Sequence, residues 1–187
     1  KATYQDEVTL GFEKAYSPSL NFGVKGTYRK LRSTADDYCD QTPFDNWAAR
    51  NNVSTANWGF GLGCVILNPG EDQTFLVDFN NSDISIKKTL TTVKLTAAEL
   101  GLPKVKRVYA ALDFFAEHPL RDGWYGKINY TRAKNTGNTE GQTNSDTGQA
   151  NVSITAVWDN PYLMEYADGL LPNNRTHQIK AYGFYQV

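Results

Sequence analysis

The sequence predicts an all-β fold, and specifically an antiparallel segment of a transmembrane β-barrel with long extracellular loops. Three observations lead to this prediction. Five segments alternate apolar and polar residues with a period of two, which is typical of strands that have two different faces. The connections between the segments run short, long, short, long, and aromatic residues lie towards the segment ends. Outer-membrane barrels combine tight periplasmic turns with long outer loops in this way.

The first two segments are predicted to form a hairpin. Residues 7–13 place apolar side chains at even positions and polar or small ones at odd positions. Residues 16–20 supply a short turn that contains Pro18, a residue that suits positions where no ladder N–H is needed. Residues 20–29 then resume the alternation in the same parity. Two alternating runs with a short turn between them indicate an antiparallel hairpin.

The alternation returns in the second half of the chain. Residues 106–114 and 124–131 are two further predicted strands, and residues 118–123 are predicted to form the compact turn between them. A fifth strand is predicted at residues 177–185. Its alternation is weaker because two aromatic residues fall on its otherwise polar face, Tyr182 and Phe184.

Two long connections, residues 33–104 and 134–175, separate these hairpins and are rich in Asn, Asp, Gly and Thr. The first is predicted to hold a helix around residues 43–49. A second helix is predicted from Thr96, because this Thr and the Glu three residues later can form a capping box. An extra hairpin is predicted around residues 74–79. Loops this long are uncommon in compact soluble domains, so they favour the barrel.

A barrel in lipid must turn its apolar side chains outward, because every backbone polar group is paired within the closed sheet. The side chains predicted to face lipid are Val8, Leu10, Phe12, Phe22, Val24, Val108, Ala110, Leu112, Phe114 and Ile128. Those predicted to face the lumen are Glu7, Glu13, Lys25, Arg29, Arg107, Asp113, Lys127, Asn129 and Lys180. Aromatic girdle residues are expected at Tyr16, Tyr28, Trp124, Tyr130 and Tyr185.

A soluble β-sandwich is the alternative fold, because its strands alternate in the same way and would bury the same residues. The alternative function is then a secreted binding module of the carbohydrate-binding type, with aromatic platforms in its loops.

Composition excludes several classes of function. The 187 residues carry a formal net charge of −1 with no basic block, which argues against a nucleic-acid partner. No window approaches the roughly 18 apolar residues of a membrane helix. The chain opens on a polar stretch without Met or a signal peptide, so we expect either a processed chain or a sequence that begins inside a larger one.

No catalytic or metal-binding pattern is evident. His118 and His177 are the two histidines, and neither accompanies a nucleophile or metal-ligand motif. Asp36, Asp37 and Asp40 lack the spacing of an EF-hand loop and are expected to be solvated loop carboxylates. We therefore expect no enzyme activity, no cofactor and no bound metal.

One stretch of the first long connection is rich in aromatic residues and contains both cysteines, Cys39 and Cys64. From their number alone, free thiols and a loop disulfide are about equally supported. The aromatic residues of this stretch have two interpretations as well. They either stack on a ligand or fill a small core of the loop itself; they are Tyr38, Trp47, Trp58 and Phe60.

The sequence resembles the barrel of the Oar-like TonB-dependent receptors. Residues 110–127, 138–142 and 171–177 carry this resemblance most clearly. The opening 5–12, residues 28–31 and residues 36–40 extend it, so that it covers nearly the whole chain in the right order. No single motif is diagnostic, but the ordered set is fairly specific.

The resemblance implies a large plugged barrel of 22 strands in the outer membrane of a Gram-negative bacterium. Residues 1–187 would be part of its barrel domain, without the plug, the TonB box or the N-terminal domain. Such a receptor binds a scarce solute, for example a siderophore, a peptide or another nutrient, at its outer loops and imports it with energy from TonB. Its partners would be that solute, outer-membrane lipid and lipopolysaccharide, and TonB through the plug.

An outer location of the first long connection decides between the two interpretations of the cysteines. No thiol-reducing system operates outside the cell, and export passes through an oxidising periplasm. We therefore predict a disulfide between Cys39 and Cys64.

Overall fold

The computed structural model describes residues 1–61, 63–141, 143–144, 148–150 and 156–187. No helix among them is long and apolar enough to cross a membrane. The strands, in chain order, are β1 (Tyr4–Ser17), β2 (Leu20–Ser33), β3 (Asp36–Tyr38), β4 (Val65–Leu67), β5 (Gln73–Val77), β6 (Thr91–Leu95), β7 (Arg107–Arg121), β8 (Trp124–Gly137), β9 (Thr143–Asn144), β10 (Gln149–Ala150), β11 (Gly169–Leu170) and β12 (His177–Tyr185). The helices are α1 (Thr42–Arg50) and α2 (Ala97–Leu100), with 3-10 helices at Ala156–Trp158 and Pro161–Met164.

The chain divides into two compact units. The sheet unit contains residues 5–32, 106–140 and 168–187, and the loop unit contains residues 1–4, 33–105 and 141–167. The sheet unit therefore holds the predicted strands, and the loop unit holds most of the two predicted long connections. Residues 142, 145–147 and 151–155 of the second connection lie outside the described part of the chain, including Gln142 of the family resemblance.

The sheet unit is one open six-stranded sheet. Its strand order is β1-β2-β7-β8, and β8 pairs on its other edge with both β11 and β12. The pairings of β2 with β7, of β7 with β8 and of β8 with β11 and β12 are antiparallel. The all-β antiparallel prediction is confirmed. The described strands do not close into a barrel, so the 22-strand barrel stays a prediction about a longer protein.

Both tight turns lie at the same end of this sheet, as predicted. Asn21 at the start of β2 pairs with Glu117 near the end of β7, so the turn at residues 18–19 and the turn at residues 122–123 are neighbours. The two long connections leave from the opposite end, after Ser33 and after Gly137. The short connections thus lie at one end of the sheet and the long connections at the other.

The predicted compact turn over residues 118–123 is wrong in its extent. Strand β7 continues through Arg121, with a register irregularity between His118 and Arg121. Pro119 falls inside this irregularity, where a missing N–H breaks no regular ladder bond. The turn itself is only Asp122-Gly123, with φ of 51° and 81°. Positive φ at both residues is the mark of a type I′ hairpin turn, for which Asp-Gly is a preferred pair.

The two faces of the sheet differ in chemistry, as the alternation predicts. Residues that lie opposite each other in a ladder point to the same face. Val24 pairs with Phe114, which pairs with Tyr130 on β8. One residue along, Lys25 pairs with Asp113, which pairs with Thr131. The apolar face carries Val8, Leu10, Phe12, Phe22, Val24, Leu112, Phe114, Ile128 and Ile179, and the polar face carries Glu7, Glu13, Lys25, Arg29, Asp113, Glu117, Lys127 and Lys180.

The loop unit has a hydrophobic core of its own. Strand β3 pairs with β4 and β5 pairs with β6. The extra hairpin predicted around residues 74–79 is thus present as β5 and β6, and a connection of 13 residues, 78–90, joins the two strands. The core side chains are Tyr38, Phe44, Ala48, Leu67, Phe79, Val93, Leu95, Leu100, Leu102, Val105, Trp158 and Met164.

Both predicted helices are present in the loop unit, and local sequence explains where they begin. Helix α1 has Pro43 in its first turn, where the missing N–H costs nothing, and Asp45 near its positive end. Helix α2 has the predicted capping box, since Thr96 accepts a bond from the N–H of Glu99 and Glu99 accepts one from the N–H of Thr96. It ends at Gly101, whose φ is 71°.

Candidate functional site

The loop unit contains a cavity of about 490 Å³ with aromatic walls, which we call the aromatic pocket. Its apolar walls come from α1, from residues 58–60 and 63–65, from β5 and from Leu90. Asp78, Asn81 and Lys88 add polar groups to the lining. The apolar wall residues are Phe44, Trp58, Phe60, Val65, Phe75, Leu76, Val77 and Leu90.

Phe44 organises the aromatic walls. Its side chain is completely buried, and it belongs to α1. Its ring centroid lies 4.9 Å from that of Phe75, 5.1 Å from that of Phe60 and 5.8 Å from that of Trp58. Tilted and edge-to-face arrangements at these distances are favourable for aromatic pairs. The walls are therefore held in place before any ligand arrives.

Two side-chain amides hold the backbone at Gly59 and Phe60, next to the aromatic walls of the pocket. The Gln41 Oε1 accepts a hydrogen bond from the Phe60 N–H at 3.0 Å, and its amide donates to Asp45. The Asn81 side chain accepts from the Gly59 N–H at 3.3 Å and donates to the Gly59 carbonyl at 2.8 Å. Neither residue was predicted from the sequence, because an Asn or Gln in a polar loop has no distinctive local pattern.

The Cys39–Cys64 disulfide closes the chain beside the pocket. Its Cα atoms are 4.4 Å apart and its sequence separation is 25. Cys39 follows β3 and Cys64 precedes β4, so the bridge continues the register of that strand pair, in which Tyr38 lies opposite Val65. The structure thus contains the disulfide that the sequence predicts, and Cys64 itself lines the aromatic pocket.

The four candidate ligand-contacting residues occupy different environments. Trp58 and Phe60 line the pocket and are partly exposed. Tyr38 is completely buried, and its hydroxyl donates to the Leu100 carbonyl at 2.9 Å. Burial, together with the charge of Asp40, raises the pKa of Tyr38. Trp47 stacks on Phe79 with ring centroids 5.9 Å apart, within the packing of the core. Both interpretations of these aromatic residues therefore apply. Tyr38 and Trp47 pack in the core of the loop unit, and Trp58 and Phe60 line the cavity.

A carboxylate pair lies next to the disulfide. Burial raises the pKa of the Asp159 carboxyl, and the neighbouring charge of Asp37 and a hydrogen bond with it act in the same direction. One oxygen of Asp37, the Cys39 sulfur and the Cys64 sulfur lie within 4.8 Å of one another. Sulfur atoms that are joined in a disulfide cannot bind a metal as thiolates. This group therefore lacks the chemistry of a zinc or iron site.

The predicted lumen-facing residues form ion pairs along the polar face of the sheet. The Lys25 Nζ lies 4.0 Å from Asp113, which also accepts a 2.6 Å hydrogen bond from Thr131. Two further pairs are Arg29 with Glu7 at 2.6 Å and Lys127 with Glu117 at 2.7 Å. Glu13 is exposed on β1.

The two histidines lie in the sheet unit. The His118 ring stacks on Trp124 with centroids 3.6 Å apart. The His177 Nδ1 is hydrogen-bonded to the Tyr130 hydroxyl at 2.8 Å. Both histidines thus contact aromatic side chains near the two ends of the sheet.

Comparison with known proteins gives one informative similarity. No protein-family model matches the chain, and no solved structure matches it. The chain is 37% identical over 183 residues to the TonB-dependent transporter Oar of Myxococcus xanthus. That match covers 98% of this chain and 13% of the transporter. The chain therefore spans about an eighth of the length of this relative. The similarity indicates a segment related to a TonB-dependent receptor. It suggests a role connected with transport.

Proposed function

We propose that this chain is part of the barrel wall of an outer-membrane receptor, together with a loop unit that binds the solute to be imported. The observation that carries the proposal is the separation of chemistry between the two faces of the six-stranded sheet. Large apolar side chains are exposed along one face, for example Leu10 (76% exposed) and Ile179 (68% exposed). Soluble proteins rarely expose a continuous apolar surface of this kind, whereas lipid-facing strands require one.

The dimensions of the apolar face suit an outer membrane. On β8, ten residue steps separate Trp124 near the turns from Lys134 near the long connections. A rise of about 3.4 Å per residue and a tilt of about 40° give a height of about 26 Å. The apolar band of outer-membrane barrels is about 25 Å tall and is flanked by aromatic residues. Trp124 and Tyr185, which are paired at the turn end, are positioned as such a girdle.

The polar face would then line the water-filled or plug-filled lumen. Its charged side chains form the ion pairs described above, and these need contact with water or protein rather than lipid. A lysine at the centre of the lipid face would cost about 2–4 kcal/mol. In this proposal Glu13, Lys25, Arg29, Asp113 and Lys127 belong to the lumen wall.

The aromatic pocket is the proposed solute site of the loop unit. Its rings suit a flat or apolar part of a solute, and Asp78, Asn81 and Lys88 of its lining can bind polar groups. Siderophores, peptides and other nutrients of that mixed character fit this description. Import would use energy from TonB through the plug region of the full-length receptor.

No observation favours the secreted β-sandwich. A sandwich would bury the apolar face of one sheet against a second sheet. Among the described residues, the side chains concerned stay exposed, with Leu112 at 49% and Ile128 at 50%.

Adjacent residues on opposite faces of β8 provide a matched test in the full-length protein. Ile128 is on the apolar face and Asn129 is on the polar face, halfway along the strand. We expect Ile128→Lys to reduce the amount of folded protein in the outer membrane, measured by heat-modifiable migration, since a lipid-facing lysine costs about 2–4 kcal/mol. Asn129→Lys should assemble at the wild-type level. Equal assembly of the two variants would contradict the barrel wall.

A second experiment tests the solute site. Cells that carry the wild-type receptor, Trp58→Ala or Tyr162→Ala are compared for uptake of a panel of ferric siderophores and oligopeptides. Tyr162 is the control because it is an exposed aromatic residue of the loop unit that does not line the aromatic pocket. We expect only Trp58→Ala to lose uptake of the solute that the wild type imports. Unchanged uptake by Trp58→Ala would remove the pocket from the proposal.

A further inference from the structure

The polar face of the sheet carries a cavity of about 410 Å³ at the end from which the long connections leave, and we call it the arginine pocket. Three of its residues form one row across the sheet. Arg29 on β2 pairs with Tyr109 on β7, which pairs with Asn135 on β8. All of its residues belong to the sheet unit. The pocket is also lined by Gln5, Arg107 and Asn173.

One of the two arginines, Arg29, has a balanced charge. Its Nε donates to a Glu7 carboxylate oxygen at 2.6 Å. Its guanidinium also lies 5.6 Å from the centroid of the Tyr109 ring, a distance at which a cation and an aromatic face attract each other. Arg29 is therefore held in place as a wall of the pocket and adds no net charge to it.

The other arginine, Arg107, keeps an uncompensated charge. It donates to the backbone carbonyl of Glu140 and to the Gln5 side chain at 3.2 Å, and both acceptors are neutral. Among the described residues no carboxylate forms an ion pair with Arg107, although the charge of Glu140 acts on it from a larger distance. A guanidinium has five N–H groups, so most of those of Arg107 have no partner in this part of the chain.

The ladder between β7 and β8 leaves Arg107 uncovered. Residues opposite each other in a ladder point to the same face, and the residue opposite Arg107 is Gly137. A Cβ at Gly137 would collide with the Lys106 backbone, and its φ of 150° disfavours other residues. No side chain of β8 can therefore lie opposite the half-buried guanidinium of Arg107.

We propose that the arginine pocket binds a carboxylate group of the imported solute. A planar guanidinium with free N–H groups matches the two oxygens of a carboxylate, which it can bind with two parallel hydrogen bonds. A single uncompensated positive charge balances one carboxylate. A doubly charged phosphate would carry excess negative charge next to Glu7 and Glu140. The inference rests on the proposed function, in which the polar face of the sheet lines the lumen.

The carboxylate of such a solute has two chemical sources, the C-terminal residue of a peptide and a hydroxy acid. N-acetylglycine represents the first and glycolate the second. The primary amides of both compounds have nearly the same shape and no charge. Binding of the four compounds to the full-length protein in detergent is measured by titration with saturation-transfer NMR.

We expect at least one of the two acids to bind, and its amide to bind at least about tenfold more weakly, because the hydrogen bonds to a charged group are lost. The acid with the higher affinity identifies the source. Equal affinity of each acid and its amide, or no binding of either acid, would overturn the proposal. Inorganic phosphate that binds more tightly than both acids would overturn the choice of a carboxylate.

Variants of Arg107 assign the binding to this pocket. R107Q should reduce the affinity for the acid to that for the amide and leave the affinity for the amide unchanged, whereas a general structural defect would weaken both. The matched control is K180Q, which removes one positive charge from an exposed position of the polar face outside the pocket. Its affinities should equal those of the wild type. Wild-type affinity of R107Q for the acid would remove Arg107 from the site.

A milder variant keeps the assignment falsifiable if R107Q does not assemble. R107K keeps the charge and loses the two parallel N–H groups. It should bind the acid more weakly than the wild type does, and equal affinity would contradict the proposed contact.

Failure of this inference is distinguishable from failure of the proposed function. If neither acid binds but Ile128→Lys still assembles less than Asn129→Lys, the barrel wall stands and only the carboxylate site is lost. If Ile128→Lys and Asn129→Lys assemble equally, the proposed membrane location itself is contradicted.

Discussion

Removal of the Cys39–Cys64 disulfide should loosen the loop unit while the six-stranded sheet persists. The perturbation is the double substitution Cys39→Ser and Cys64→Ser in the full-length protein. In the folded state the two residues already lie opposite each other next to the β3–β4 ladder. The hydrogen bonds of that ladder do not depend on the sulfur atoms. The main effect is therefore expected in the opened loop, which gains conformational freedom.

The sequence separation sets the magnitude. Closing a loop of 25 residues corresponds to roughly 3.5 kcal/mol in the chain-entropy model of disulfides. Since about 1.4 kcal/mol changes an equilibrium tenfold, the opened population of the loop should rise by about 300-fold. This value is an upper bound for the effect if the opened loop keeps residual structure.

Protease cleavage of intact cells measures the opened population directly. When opening and closing are fast compared with cleavage, the cleavage rate follows the equilibrium between closed and opened loop. We expect proteinase K to cut the double variant within residues 40–105 far faster than the wild type. A reductant should bring the wild type to the rate of the variant and leave the variant unchanged. Heat-modifiable migration of the barrel should stay the same in both proteins.

Two results would refute this reasoning. Equal cleavage rates of the oxidised wild type and the double variant would mean that the core alone holds the loop unit closed. If a reductant does not accelerate cleavage of the wild type, the bridge does not form in cells.

Three further predictions concern the packing, a turn and the pH dependence. Phe44→Ala should lower the stability of the loop unit by about 3–5 kcal/mol. The measurement is amide hydrogen exchange, which should become faster in the loop unit. Unchanged exchange would mean that the Phe44 ring does not stabilise the core. Gly123→Ala should cost about 1–2 kcal/mol because its φ is 81°, whereas Gly169→Ala, in open space, should be neutral in urea unfolding. The folded loop unit raises the pKa of Asp159 through burial and the charge of Asp37. The folded state therefore holds the proton more tightly than the unfolded state, and stability should rise as pH falls through this raised pKa towards the ordinary pKa of an aspartate. Asp159→Asn should flatten that dependence over the same pH range, and a wild-type profile in the variant would assign it to another group.

The sequence alone determined five of the six strands of the large sheet, their faces and the ends at which they are connected. Strand β11 lies within the second predicted long connection and was not predicted. The physical reason is that these features follow from local rules. Period-two alternation assigns each side chain to one face, and short connections force antiparallel neighbours. The capping box at Thr96 located α2 for the same reason, because all of its hydrogen bonds lie within four residues.

The local pattern did not predict where β7 ends. The strand crosses Pro119 and turns only at Asp122-Gly123. The predicted turn was placed around Pro119, although the Asp-Gly pair that follows it is the stronger hairpin signal. The pairing with β8 decides the outcome, because the irregular register after His118 leaves no ladder bond for the proline to break.

Only the tertiary structure decided what the long connections become. The loop unit brings together residues far apart in sequence, since the core that contains Tyr38 also contains Leu100 and Trp158. Burial in this core depends on contacts that no local pattern encodes. The sequence therefore could not show that Tyr38 is wholly buried whereas Trp58 and Phe60 line the pocket.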